Sequence, residues 1–246
     1  MPGLEPITGP DGRTLIIAID HGGTFGPMEG LEDPLSVAKA ALESGADALI
    51  VTLGFAKRYH SALAGAPLIV RVDGGTSSIG PDWRRMRRLF SVEQALEVGA
   101  RAVIAMGFVG YEGEAESLGQ LAEVCAECMK LRVPLVAEML PAGKEGETDP
   151  DRLALAARIG AEIGADLVKT GYTGSPDTFE KTVRGCFVPV VVRGGPRMAD
   201  EEQVIETARG AVAAGAIGVA FGRNVWQSSD MRAMIRRVAQ VVHSRP

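Results

Sequence analysis

Five charged residues stand in or at the end of short apolar runs: Asp20 in LIIAID, Asp73 in LIVRVD, Glu138 in LVAEML, Lys169 in DLVKT and Arg193 in VVVR. Three carboxylates and two cations gathered at one place lose hydration, and they recover that cost only by pairing or by binding something. Lys169 is the most informative. Apolar surroundings disfavour its ammonium form, a nearby Arg193 adds to that, and an ionised carboxylate opposes it. A neutral amine is a nucleophile that forms a Schiff base with a ketone or aldehyde. The bland alternative is a lysine whose stem packs while its ammonium reaches solvent. Asp20 suits proton transfer or the orientation of a substrate hydroxyl, or else caps the next turn. His21 reads as a structural hydrogen-bonding residue, because adjacent strand residues point to opposite faces.

Two glycine-bearing segments come late in the chain, VRGGPR around Gly194 and Gly195 and AFGRNVWQ around Gly222 and Arg223. Successive backbone amides there suit a phosphate, with tight turns as the plainer reading. Cys125 and Cys128 form a C-x-x-C, but no second pair accompanies it, and Cys186 and the three histidines are scattered. The expectation is helix-packing thiols and no metal. Arg84, Arg85, Arg87 and Arg88 in the segment 74–90 read as a solvated face, with an anion-contacting or subunit-contacting loop as the sharper alternative. A polar, glycine-bearing loop, AGKEGETD, spans 142–149.

The elements that must position these residues alternate along the chain. Strands are expected at 14–20, 48–52, 68–73, 102–106, 134–140, 167–170, 188–193 and 217–222. Helices are expected at 34–44, 54–63, 91–98, 116–131, 150–163, 175–186, 201–214 and 230–243. Continuous apolar strands imply burial on both faces. A Gly-Ala turn recurs ahead of strands, in SGAD, VGAR, IGAD and AGAI, and glycine is the expected helix C-cap there. Eight such units suggest a single-domain (β/α)8 TIM barrel with an N-terminal arm, 1–13. An open doubly wound sheet is disfavoured because no G-x-G-x-x-G follows the first strand. In a barrel the site lies at the C-terminal strand ends, where the five charged residues fall.

Composition excludes other classes. The 246 residues are 46% apolar and 23% charged, which is ordinary for a globular chain. With 26 basic and 31 acidic residues the net charge is −5, against a nucleic-acid binder. Apolar runs are far shorter than the ~20 residues of a membrane span. Sparse cysteines and no evident secretory signal fit a reducing, cytoplasmic setting.

The motifs Asp20-His21-Gly22, Gly75-Thr76-Ser77, Lys169-Thr170, Tyr172-Thr173-Gly174, Gly194-Gly195-Pro196 and the run from Gly222 to Gln227 occur in one order over nearly the whole chain. In these the chain resembles the class I, Schiff-base aldolases of the archaeal fructose-bisphosphate aldolase type, with the related aminodideoxyheptulosonate synthases and an autoinducer-2-processing thiolase. The resemblance implies a TIM barrel, a covalent Schiff base on Lys169 with no cofactor, Asp20 as a catalytic carboxylate, phosphate held at Gly194, Gly195, Gly222 and Arg223, and a homo-oligomer. It also marks departures. Leu140-Pro141-Ala142-Gly143 stands where the family carries Tyr-Pro-Arg-Gly with a proton-transferring tyrosine. Glu138 replaces an aromatic residue, Asp73 an Asn or Ser, and Arg193 a Ser or Ala. Glu138 points the same way as Leu140 along a strand and is expected to take over proton transfer or to read a different substrate group.

The expected activity is carbon–carbon bond making or breaking in a keto compound, with a phosphorylated one expected. Lys169 is the nucleophile, and Asp20 and Glu138 are the proton movers, one of them protonated part of the time because close carboxylates raise each other's pKa. Arg193 and Asp73 are expected at the substrate. Rival readings are thiolase-like acyl transfer on the same lysine, an isomerase using the two carboxylates without an adduct, and a non-catalytic sugar-phosphate-binding barrel.

Overall fold

A computed structural model describes residues 3–143 and 147–244. Eight strands form a closed parallel barrel: β1 (Thr14–Ala18), β2 (Ala48–Thr52), β3 (Leu68–Arg71), β4 (Ala100–Val109), β5 (Leu135–Pro141), β6 (Leu167–Thr170), β7 (Val190–Arg193) and β8 (Gly218–Phe221). Their spatial order is their chain order, and β8 pairs with β1 to close the ring. Eight helices wrap it: α1 (Pro34–Glu43), α2 (Leu53–Tyr59), α3 (Val92–Glu97), α4 (Glu114–Leu131), α5 (Pro150–Ile163), α6 (Pro176–Gly185), α7 (Glu201–Ala213) and α8 (Met231–His243). The expected TIM barrel is the one observed.

The Gly-Ala turns act as read. Gly45, Gly99, Gly164 and Gly215 all have φ between 90° and 112°, the left-handed region that favours glycine. The aspartates that follow two of them carry a further function. Asp47, ahead of β2, accepts the amide of Leu15 in β1, and Asp166, ahead of β6, accepts the amide of Leu135 in β5. The same turn thus ties each strand's start to its neighbour. Helix starts are equally local in cause: Asp33, Thr52, Ser91, Asp149, Ser175, Asp200 and Asp230 each cap a helix with a side-chain oxygen.

Strand alternation divides the core in two. Outward residues such as Leu15, Leu49 and Val168 pack under the helices. Inward residues Ile16, Ile50, Ile69, Ile104, Val136, Leu167, Val191 and Ala220 fill the barrel, each no more than 2% exposed. The arm closes the N-terminal end: Leu4 and Ile7 join the interior cluster, and Ile7 O accepts the Thr14 hydroxyl at 2.7 Å. At the other end the inward series becomes polar, with Asp20, Arg71, Asp73, Glu138, Lys169 and Arg193.

Several boundaries differ from expectation: β1 ends at Ala18, β3 ends at Arg71, β4 runs over Ala100–Val109 rather than 102–106, and α2 ends at Tyr59 rather than 63. After β3 the chain leaves the barrel, and Asp73–Gly74 pairs antiparallel with Arg87–Arg88, so that residues 73–90 form an excursion over the mouth. Its arginines are mostly engaged: Arg84 with Asp82 and the face of Tyr111, Arg85 with Glu112, Arg88 with Glu127. Of the 142–149 loop, residues 144–146 lie outside the described residues. Among the described residues no helix is long and apolar enough to cross a membrane.

Ile7 is fully buried, so Ile7→Ala opens a cavity at the barrel's closed end. It is expected to cost about 2–5 kcal/mol in urea unfolding while the chemistry of the opposite end persists.

Candidate active site

The inward face reaches the mouth with period two. In β3 the series is Ile69, Arg71 and then Asp73; in β5 it is Val136, Glu138, Leu140; in β6 it is Leu167, Lys169. Register brings them side by side, because Glu138 pairs with Lys169 on one flank and with Met106 on the other. A cavity of about 590 Å³ opens above them, lined by Asp20, His21, Arg71, Asp73, Glu138, Lys169, Arg193 and Arg223 on its polar side.

Arg71 is the centre of the charge arrangement. Its Nε donates to Asp20, its Nη1 to Asp73 Oδ1 at 3.0 Å, and its Nη2 to Glu138 Oε2. Glu138 uses its other oxygen, Oε1, to accept from Lys169 Nζ at 2.8 Å. Asp73 uses its second oxygen to accept the Met106 amide at 2.6 Å. Asp20, Glu138 and Lys169 are each less than 9% exposed. The guanidinium fork therefore satisfies three carboxylates at once, which a point charge of lysine type does not do.

Electrostatics divide the carboxylates. Burial by itself would raise all three. For Asp20, Arg71 and then His21 and Lys169 overcome it and hold the carboxyl below its usual range. For Glu138, Lys169 and Arg71 overcome it by a wide margin. For Asp73 burial prevails and the pKa is raised. This corrects the expectation that mutual repulsion keeps Asp20 or Glu138 partly protonated: the cations outweigh their neighbours, and both rest as carboxylates. It also corrects the picture of Lys169 as an amine among apolar groups, since its partner is an ionised carboxylate.

His21 departs from its reading as well. It lies beyond β1, in the turn before a single helical turn, Gly22–Phe25, so strand alternation does not govern it. Its ring faces the cavity beside Asp20, packs edge-on to Trp226 at 5.5 Å, and leaves Nδ1 without a hydrogen-bond partner among the described residues. Burial lowers its pKa, so it is neutral at pH 7. Gly222 makes room for it: a Cβ there would lie 2.5 Å from His21 Cε1.

The glycine loops after β7 and β8 are stitched together by Asn224, a buried residue. Its Nδ2 donates to Gly194 O at 2.7 Å and Pro196 O at 3.2 Å, and its Oδ1 accepts the Met198 amide at 2.7 Å. Arg223 donates to Gly195 O at 3.1 Å. Arg193 is paired with Glu147, yet Arg193 Nε and Arg223 Nε are buried with no partner among the described residues. Burial and the nearby Arg193 lower the pKa of Arg223. Gly194 and Gly195 line an adjoining cavity of about 600 Å³ that shares Arg193 with the central one, and Gly222 backs His21.

The structure thus brings Asp20, Asp73, Glu138, Lys169, Arg193 and Arg223 to one cavity and sets the three glycines beside it. Asp73 meets Arg71 and a backbone amide with its two oxygens, which makes it a positioning group. Sequence reasoning missed Arg71, His21 and Asn224. The signal for Arg71 was present: a lone cation in LIVRVD at even spacing from Asp73 shares its face. Cys125 and Cys128 lie on the buried side of α4, the Cys128 thiol pushed up to about 12 by burial, so both rest as thiols. Among the described residues no group of His, Cys, Asp and Glu is arranged to hold a metal.

Acid should unfold the protein through this network. Asp20 and Glu138 ionise more readily folded than unfolded, where their values are near 3.8 and 4.5. Their contribution is whole above the unfolded values and is lost as pH falls toward the folded ones, while Asp73 acts in the opposite sense and offsets part of it. The urea midpoint is expected to drop steadily from about pH 5 to about pH 3. At pH 7, Arg71→Leu is expected to cost about 3–5 kcal/mol, because it leaves buried carboxylates without their cation.

Residues 14–228 match the DeoC/LacD family of aldolases. The chain is 37% identical over 234 residues to the 2-amino-3,7-dideoxy-D-threo-hept-6-ulosonate synthase of Halobacterium salinarum, covering 95% of this chain and 88% of that one. It is 35% identical over 231 residues to the 3-hydroxy-5-phosphonooxypentane-2,4-dione thiolase of Yersinia pseudotuberculosis, covering 94% and 77%. A solved archaeal fructose-1,6-bisphosphate aldolase, with its catalytic lysine bound to the carbinolamine intermediate, superposes with a TM-score of 0.91 at 33% identity over 98% of each chain. The match in sequence and in barrel geometry runs almost the full length, and the chain belongs to the DeoC/LacD aldolase family as a class I aldolase-type lyase.

Proposed function

We propose that Lys169 forms a Schiff base with a phosphorylated keto compound and that Glu138 is its proton partner. The observation that carries this reading is the 2.8 Å contact between Lys169 Nζ and Glu138 Oε1 at the floor of the cavity. On substrate entry the ammonium passes one proton to Glu138, and the freed amine attacks the ketone carbon. The carbonyl π pair moves to oxygen, which takes up the proton that the newly bonded, positively charged nitrogen sheds, giving a neutral carbinolamine. Protonated Glu138 then returns its proton to the departing hydroxyl, water leaves, and an iminium remains. Glu138 starts as a base and becomes the acid one step later, so no protonated carboxylate is needed at rest. Asp20, held by Arg71, faces the same cavity and removes the proton of the hydroxyl on the carbon beyond the breaking bond. The bonding pair then flows into the iminium as an enamine.

Arg193 and Arg223, with the loops of Gly194, Gly195 and Gly222, hold the phosphate or another anion. Their buried, unpartnered Nε groups support this role. Nothing in the scheme calls for a metal or organic cofactor. The free, buried cysteines agree with a reducing, cytoplasmic compartment.

Borohydride reduction in the presence of dihydroxyacetone phosphate, fructose 1,6-bisphosphate and unphosphorylated ketones, followed by peptide mass analysis, is expected to label Lys169. Lys169→Arg should abolish labelling, and Glu138→Gln should slow it by about 10²–10⁴-fold. Labelling at another lysine, or none across the panel, overturns the assignment. Product analysis with and without coenzyme A separates bond cleavage from acyl transfer.

A further inference from the structure

The cavity has two unlike sides, and Lys169 stands between them. On the β7 and β8 side are Arg193 and Arg223. On the β4 and β5 side, and in the excursion above them, the lining is Met106, Leu140, Trp83 and Met86, with Phe25 closing the rim. This apolar side is a packed unit in its own right. Met106, Phe108 and Leu140 are buried together, and Trp83 and Met86 pack on them. Phe25, Trp83 and Phe108 form a run of ring contacts at 6.3 and 5.9 Å. The excursion is fastened in place: Thr76 Oγ1 donates to Trp83 O at 2.6 Å, and the Ser78 amide donates to Thr24 O at 3.0 Å. Its arginines do not line the cavity.

An aldol reaction joins two fragments across the carbon beside the iminium. One is tethered to Lys169, and its anionic group fits the arginine side. The other lies against the apolar side. Leu140, Met106 and Met86 offer no hydrogen-bond partner to a hydroxyl and Trp83 offers only its indole N–H, so a polyhydroxylated or phosphorylated aldehyde would be desolvated there with little compensation. An apolar chain or ring gains by the same burial. From this we infer that the aldehyde fragment is apolar and preferably aromatic. In the synthetic direction the bound ketone loses an α-proton to give the enamine, whose carbon attacks the aldehyde carbon. The C=O π pair moves to oxygen, which takes a proton. Water then hydrolyses the iminium, releasing a β-hydroxy ketone and restoring the amine. The cavity, about 590 Å³, has room for both fragments.

This inference rests on the Schiff-base reading for its chemistry but not for its binding, and two measurements keep them apart. In the first, dihydroxyacetone phosphate and pyruvate are each offered as donor with benzaldehyde, 3-methylbutanal, glyceraldehyde 3-phosphate or erythrose 4-phosphate. Benzaldehyde is expected to exceed the phosphorylated aldehydes in kcat/KM by about tenfold or more, and Leu140→Gln to lower that ratio by about tenfold. In the second, saturation-transfer NMR with unreactive benzyl alcohol is expected to show binding that Leu140→Gln and Met86→Gln each weaken. A lysine adduct with preference for the phosphorylated aldehydes overturns the inference and leaves the aldolase reading standing. Absence of any adduct sinks the reading, and the NMR result then decides the inference alone: binding insensitive to both substitutions, or no binding, overturns it.

Discussion

At the open end of the barrel three carboxylates and two cations are held out of water, and none of them is tolerable there alone. The Arg71 guanidinium makes the arrangement possible. Its fixed fork reaches Asp20, Asp73 and Glu138 together, and Glu138 hands its remaining oxygen to Lys169. Removing water strengthens each of these pairings and also makes any loss among them costly. The ends of β1, β3, β5 and β6 and the start of the excursion after β3 supply this network. Asp73 shows it most plainly. It terminates the inward series of β3, and its second oxygen binds the backbone of β4, so the fork is anchored to two strands.

The same charge arrangement sets the resting protonation states. Desolvation pushes every carboxylate toward neutrality, and two of the three are nonetheless held ionised because each lies against more than one positive or polarisable neighbour. A lysine paired with such a carboxylate has a built-in acceptor for the proton it must lose. In the proposed scheme the chemistry needs no group poised between states in the free enzyme. On the far side of Lys169, Arg193 pairs with Glu147 and Arg223 donates to Gly195 O, and the Nε of each is buried without a hydrogen-bond partner among the described residues.

Much of the fold was legible in the chain. Periodicity separated eight strands from eight helices, and the Gly-Ala turns marked where four of the strands begin, because positive φ and tight helix–strand spacing leave few residue choices. Lys169, Asp20, Glu138 and Arg193 were legible as charges in or at the end of apolar strands. Arg71 was passed over because it stands one step inside such a run, where a charge has no local reason to be. His21 was assigned to the wrong face because strand alternation was extended past the point where β1 ends. Asn224 left no local signal at all: its three partners come from the preceding loop, some 26 to 30 residues away.

Sequence alone determined the architecture, the inward and outward faces and the identity of the groups at the mouth. These follow from short-range rules: the two-residue period of a strand, the cap a helix requires, the φ a turn demands. Only the tertiary structure decided which charges touch, and with them the protonation state of each carboxylate and the partner of the lysine. Register and barrel closure fix those distances, and in a site closed to water a difference of an ångström or two between charges governs their energy.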